Sequence, residues 1–279
     1  MSNAERSRSG SSVVIVTGGT RGIGAGLVRA FAERGWAVHF TGRSEASVRE
    51  ALASLPIGIA ARVSGQACPA DDVEGLGRVW DAAAALGRVE AVVCNAGISR
   101  PRPNFDGYDM GSLRDVISTN LLGPMVAATV FLPRMKVQGG GFFYAMEGLG
   151  SRGEIRVGAT LYGTTKYALA YFLRALARES AGTQVSIGAL SPGMVITDLL
   201  LADSGGLAGL GSLAEGRRKI FGILADKVDT VAPWLVARIL DDMARGPRPG
   251  GYRRFAWLTR RKAIARFLSA PFVRRRVFD

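Results

Sequence analysis

The chain has 279 residues, 48% of them apolar, which is long for one average domain but ordinary for a single α/β domain with a large sheet. Its formal net charge is +13, yet nine basic side chains and no acidic one lie between Arg253 and Arg276. The body is therefore only mildly basic, and a nucleic-acid enzyme is not implied. The single histidine, His39, falls inside a predicted strand, which removes Ser-His-Asp hydrolysis, Cys-His catalysis and His-rich zinc sites.

Met1 to Ser12 is polar and reads as a flexible segment with no signal-peptide pattern. Val13 to Val16 is an apolar β-branched run, suited to a strand buried on both faces. A glycine-rich turn follows, then a helix from about Ile23 to Arg34 closed by Gly35. Ala37 to Thr41 is the second predicted strand, and Ser44 can cap the next helix. Ala61 to Cys68 is a weaker strand, and Asp71 or Asp72 caps a helix running to about Leu86.

Val89 to Cys94 is a buried strand ending in Asn95-Ala-Gly97. Ser112 to Met135 is predicted as a long helix, bent at Gly123-Pro124. Its most apolar stretch, Leu121 to Pro133, is about 13 residues, short of the roughly 20 that a membrane-spanning helix needs. Phe142 to Met146 is a strand, Tyr162 to Ser180 a helix, Val185 to Leu190 a strand, Thr230 to Ala244 a helix and Tyr252 to Trp257 a last strand. Cys68 and Cys94, at strand ends and in no metal-like or CxxC spacing, are expected as buried free thiols in a reduced, cytoplasmic compartment.

Strands alternating with helices predict one α/β domain, a doubly wound parallel sheet with helices on both faces. Such sheets bind ligands at the carboxyl ends of their strands. Thr17 to Gly24, Arg43, Asn95 to Gly97 and Ser191 to Thr197 all follow predicted strand ends and should converge on one crevice.

In Gly18-Gly-Thr20-Arg21-Gly22-Ile23-Gly24 the glycines permit a tight turn and close approach of backbone to phosphate. The helix that follows offers unpaired N–H groups and its positive end, so the turn is the expected cradle for a dinucleotide pyrophosphate. Sites for NAD carry an acidic residue roughly 20 residues further on. Here the second strand ends Thr41-Gly42-Arg43 with no carboxylate. Arg43, helped by Arg21, can pair with a 2′-phosphate, which predicts NADP(H).

Tyr162 and Lys166 stand one turn apart on a single helix face. Reducing a carbonyl requires hydride on carbon and a proton on oxygen. Tyr162 can supply the proton, although an unperturbed tyrosine pKa of about 10 makes it a reluctant acid. Lys166 lowers that pKa electrostatically and can hold the nicotinamide ribose.

The set Thr17-Gly18-x-x-x-Gly22-x-Gly24, Asn95-Ala96-Gly97, Asn120, Tyr162-x-x-x-Lys166 and Pro192-Gly193-x-x-x-Thr197 resembles the short-chain dehydrogenase/reductase family over roughly Ser12 to Ala244. The resemblance implies a Rossmann fold with Tyr162 as acid–base residue, Lys166 orienting the cofactor, and Asn120 anchoring a water in the proton relay. It implies Asn95 and Gly97 on the adenosine side, Pro192, Gly193 and Thr197 at the nicotinamide, and a homo-oligomer. The family serine usually lies about 13 residues before the tyrosine. Here Met146-Glu147-Gly148-Leu149 occupies that stretch, with leucine at position 149.

The nearest hydroxyl is Ser151, 11 residues before Tyr162. Either Ser151 hydrogen-bonds the substrate oxygen as a fourth catalytic residue, or the site lacks a polarising donor. Cys68-Pro69-Ala70 replaces the Asp-Val that many members carry at the adenine ring. Within the family, Glu147 to Ser151, Tyr162 to Lys166 and Leu190 to Leu200 are similar to chlorophyll b reductases, which reduce a formyl group on a large macrocycle with NADPH.

The leading expectation is thus an NADPH-dependent reductase of an aldehyde or ketone on a bulky apolar substrate. Its competitor is a non-catalytic NADP(H)-binding sensor or scaffold. Residues 13–256 form the expected domain, with an apolar lid at about 199–225. The basic tail, 257–279, has Trp257, Leu258, Ile264, Phe267 and Leu268 at roughly helical spacing. It either lies on an anionic membrane surface or packs on the body.

Overall fold

The computed structural model describes residues 11–202, 215–270 and 272. Seven strands form one parallel sheet in the order β3-β2-β1-β4-β5-β6-β7. They are β1 (Ser11–Thr17), β2 (Ala37–Gly42), β3 (Val63–Ala67), β4 (Gly87–Cys94), β5 (Gly141–Met146), β6 (Val185–Ser191) and β7 (Tyr252–Ala256). Chain order reverses between β1 and β4, so the crevice belongs outside the carboxyl ends of these two strands. This is the doubly wound Rossmann architecture expected from the alternation of elements.

Helices cover both faces because each strand of the central sheet presents apolar side chains both ways. On one face, α4 (Val73–Ala84), α6 (Gly123–Val137) and α7 (Thr160–Glu179) bury Leu76, Val79, Phe131, Met135, Leu169 and Leu173 against Ile15, Val92 and Phe143. On the other, α1 (Gly22–Ala32) and a long helix at Val228–Ala244 pack Leu27, Phe31, Leu235 and Ile239 onto Val14, Val16 and Val93. The caps read from sequence are present. Ser44 accepts from the Ser47 N–H at the start of α2 (Glu45–Ala53), a single turn at Ile57–Ala60 forms α3, and Asp72 accepts from the Gly75 N–H in α4. His39 is buried in β2 and hydrogen-bonded with Ser64 and Gln66, a structural role; burial lowers its proton affinity.

Several boundaries differ from expectation. Ser11 and Ser12 already belong to β1, and the expected flexible segment otherwise lies outside the described residues. The run Met110–Val137 is continuous: α5 (Met110–Ile117), a widened π turn at Ser118–Leu122, then α6. It spans 28 residues, so it is long and apolar enough to cross a membrane, unlike the 13-residue stretch read from sequence. Half of its most apolar window is buried in the protein, with Val116, Phe131 and Met135 inaccessible.

The expected lid is bracketed by α8 (Asp198–Ala202) and α9 (Glu215–Leu224), and residues 203–214 lie outside the described residues. With α10 as Val228–Ala244, the tail supplies α11 (Arg260–Ser269), and it is not separate from the body. Arg266 donates through both terminal nitrogens to Asp226, at 2.8 and 2.9 Å, and the Trp257 indole N–H donates to the same carboxylate at 2.6 Å. Packing on the body is thus realised, while Ile264, Phe267 and Leu268 keep an exposed apolar face.

Both Asp226 and Arg266 are largely buried. Arg266→Met should therefore cost about 3–5 kcal/mol, because it strips the guanidinium from a buried carboxylate. Denaturant unfolding measures the loss, and a midpoint equal to wild type would refute the anchoring role.

Candidate active site

The glycine turn leaves β1 with Gly18 at φ +65° and Gly22 at φ +55°, conformations that favour glycine. A Cβ on Gly18 would lie 2.8 Å from the Ala96 Cα, so the turn closes tightly on the loop after β4. Arg21, at the start of α1, makes no side-chain cap, which leaves the first N–H groups of the helix facing the crevice. A phosphate is the chemical partner such a turn accommodates, and the residues present fit a dinucleotide.

Thr17, Asn95 and Ala96 lock the ends of β1 and β4 together. The Asn95 side-chain amide donates to the Thr17 and Gly18 carbonyls at 3.1 and 3.0 Å, while the Thr17 hydroxyl accepts from the Asn95 and Ala96 N–H groups. Asn95 therefore acts on the turn by bracing it. Arg43 follows β2 and lines the same cleft, with Cys68, Pro69, Ala70 and Asp71 after β3. Arg21 forms a loose, exposed ion pair with Asp198 at 3.6 Å. Burial pushes the Cys68 thiol up to about 11 and raises Cys94 further, which makes both poor nucleophiles.

Asn120 sits in the π turn between α5 and α6 and is fully buried. Pro124, four residues on, has no N–H to return to the Asn120 carbonyl, a local reason for the widened turn. The Asn120 side chain accepts from the Ile98 N–H at 2.8 Å and donates to the Ile98 carbonyl at 2.9 Å and to the Thr165 hydroxyl at 3.3 Å. It thereby ties the loop after β4 to α7, the helix that carries Tyr162 and Lys166.

Lys166 is 3% exposed and donates to the Met146 carbonyl at 2.9 Å, with its ammonium 5.7 Å from the Tyr162 ring centre. Burial pulls its pKa down to about 8, and the Glu147 carboxylate opposes that fall. The residue against the Tyr162 hydroxyl is Gly148: a Cβ there would overlap the phenolic oxygen. Leu149, at the position counted back for the family serine, is the next residue and lines the same cleft. The ladder runs one residue past the strand, with the Glu147 N–H donating to the Leu190 carbonyl at 2.8 Å.

Ser151 is buried, and its hydroxyl oxygen accepts from the Gly148 N–H at 3.1 Å. Pro192, Gly193 and Thr197 form the wall opposite the glycine turn, Thr197 lying 3.3 Å from where a Gly22 Cβ would be. Leu258 packs on Gly193, so the tail forms part of this wall.

One continuous cleft of about 1520 Å³ takes in every predicted site residue except Asn120. Sequence reasoning missed Glu147 and Arg254, an ion pair on its lining in which the carboxylate is buried and the guanidinium half-buried. The one available signal was an acidic residue directly after a strand otherwise apolar throughout.

Comparison with known proteins agrees with this arrangement. Residues 12–204 match the short chain dehydrogenase family model. The probable chlorophyll(ide) b reductase NYC1, chloroplastic, of Oryza sativa subsp. japonica is 31% identical over 84% of this chain and 48% of its own length. The chain thus spans about half of that relative. Chlorophyll(ide) b reductase NOL, chloroplastic, of Arabidopsis thaliana is 30% identical, covering 92% of this chain and 72% of that protein. The solved structure of ElxO with NADP bound superposes with a TM-score of 0.72 at 21% identity, over 88% of this chain and 97% of that one. Fold, motif order and sequence likeness converge: the chain belongs to the short chain dehydrogenase family.

Proposed function

We propose that the protein is an NADPH-dependent reductase that converts an aldehyde or ketone on a bulky, largely apolar substrate to an alcohol. The reading rests on one observation: a single cleft is lined both by the glycine turn and Arg43 and by Tyr162 and Lys166. The bound dinucleotide would supply hydride. The turn residues Gly18, Thr20, Arg21, Gly22, Ile23 and Gly24 hold its phosphates, Arg43 takes the 2′-phosphate, and Gly97, Pro192, Gly193 and Thr197 flank its remaining length.

Tyr162 delivers the proton to the substrate oxygen. Lys166 makes that phenol a better acid, and Asn120 holds the backbone through which a water refills it. Because the Ser151 oxygen accepts from Gly148, its own O–H is left to donate toward the substrate oxygen. ElxO with NADP bound and the chlorophyll(ide) b reductases NYC1 and NOL support the choice of cofactor and of reaction class.

Leu149, Leu199, Leu200 and Leu258 line the same cleft, as do Arg152, Arg156, Arg260 and Arg261 along with Glu154 and Asp198. This mixture suits a substrate with apolar bulk, and the arginines favour one that also carries an acidic substituent, such as a formylated tetrapyrrole with a carboxylate. A homo-oligomer belongs to the same reading, with Ile117, Tyr167 and Tyr171 exposed on α5 and α7.

NADPH oxidation against aldehydes and ketones, including steroids and formylated tetrapyrroles with and without a free carboxylate, tests the reaction. No turnover across the panel would favour a cofactor-binding sensor. Arg43→Ala should weaken NADPH by about tenfold or more while leaving NADH unchanged, given the worth of a charge-assisted hydrogen bond. Tighter NADH than NADPH binding by wild type would sink the cofactor assignment.

A further inference from the structure

Glu147 has no part in the reaction described above, yet it is 3% exposed, and its two chain neighbours each touch one of the reacting side chains. Its predecessor, Met146, accepts the Lys166 ammonium, and its successor, Gly148, abuts the Tyr162 hydroxyl. The carboxylate is held from β7, across β6. Arg254 Nε donates to Oε2 at 2.6 Å, the Tyr252 hydroxyl donates to Oε1 at 3.3 Å, and Arg254 also donates to the Ser191 hydroxyl at 2.8 Å. A buried carboxylate is costly unless it is paired, and one placed beside a buried ammonium stabilises the charged form of that ammonium.

We propose that Glu147, held by Arg254, is a positioning residue that keeps Lys166 protonated and so sets the pH range over which the Tyr162–Lys166 pair works. The inference rests on the roles given to Tyr162 and Lys166 above. Among the described residues, three titratable groups bear on Lys166. Glu147 comes from the end of β5, the buried Cys94 thiol from β4, and Tyr162 from α7 itself. Asn120, from the π turn, is uncharged. Arg254 and Tyr252 from β7 face Glu147, and Arg174 from α7 acts on Tyr252.

Burial drives the lysine toward its neutral form, and the Glu147 charge is the larger of the two influences that resist this, Cys94 being the other. Activity should therefore be retained below the lysine's pKa of about 8 and fall as pH rises through it. Removing the carboxylate should move that alkaline limb to lower pH. Removing Arg254, which offsets the carboxylate's charge, should move it to higher pH.

The test uses the full chain with NADPH and two readouts. One is the pH profile of kcat/KM for an aldehyde that wild type reduces. The other is direct titration of Lys166 by NMR of 13Cε-labelled lysine, assigned through Lys166→Arg. Glu147→Gln should shift both midpoints down by about one unit or more, and Arg254→Gln should shift them up. A purely structural pair would lower stability and leave both midpoints in place, and that result overturns the proposal. Should Glu147→Gln fail to fold, Arg254→Gln decides alone, because an unchanged midpoint there is equally fatal. If wild type reduces nothing, the reading of function fails, while the NMR midpoints still judge the role of Glu147.

Discussion

Tyr162→Phe is expected to lower turnover by about 10²–10⁴-fold, the range over which a positioned general acid contributes. The phenolic hydroxyl is the proton source that the proposed reaction requires, and phenylalanine keeps the ring and its packing while deleting the proton. NADPH affinity should stay at the wild-type value, because the phosphate cradle, Arg43 and the Lys166–Met146 hydrogen bond lie outside the deleted atom. Single-turnover NADPH oxidation together with fluorescence titration of NADPH separates chemistry from binding. A variant with normal rates would remove Tyr162 from the mechanism, and one that lost NADPH binding would make it a cofactor ligand alone.

Gly148→Ala should be nearly as damaging by a different route. A methyl group at position 148 overlaps the Tyr162 oxygen, and Gly148 is also tied through its N–H to Ser151. The backbone here continues the β5–β6 ladder through Glu147 and cannot retreat cheaply, so the phenol must move. Displacing an acid by about 1 Å costs on the order of 10²-fold in rate. Circular dichroism and the unfolding midpoint should stay near wild type, since the clash falls on one side chain at the edge of a cleft. Turnover unchanged by the methyl group would show that Tyr162 has slack at its hydroxyl. Gly148→Ser is a sharper form of the same experiment: it brings a hydroxyl beside the Tyr162 oxygen only by the same intrusion.

Much of this site was legible before any tertiary information. The glycine turn, Arg43, Tyr162 and Lys166 announce their chemistry through residue type and short-range spacing, and each falls at a strand end or on one helix face. The tail helix was half legible: its apolar spacing was visible, but its partner was not. Arg266 meets Asp226 across 40 residues, and nothing in local pattern distinguishes that aspartate from a solvated one. The contact between Gly148 and the Tyr162 hydroxyl was not legible for a related reason: it depends on how the loop after β5 folds against α7.

The π turn at Ser118–Leu122 was visible only as an expected bend at Gly123-Pro124. Its consequence, an Asn120 turned inward to hold both the loop after β4 and α7, required the helix to be seen packed.

What the sequence determined by itself is the alternation of elements, the parallel sheet it implies, the glycine turn and the Tyr162–Lys166 spacing on one helix face. All of these are encoded in hydrophobic period, in glycine and in separations of a few residues. What only the tertiary structure decided is the electrostatic setting of that pair. Glu147 and Arg254 are 107 residues apart, and they become partners because β7 lies beside β6 at the sheet's edge. A lysine's working pH depends on burial and on charges brought near by folding, and neither is a property of the residues adjacent to it in the chain.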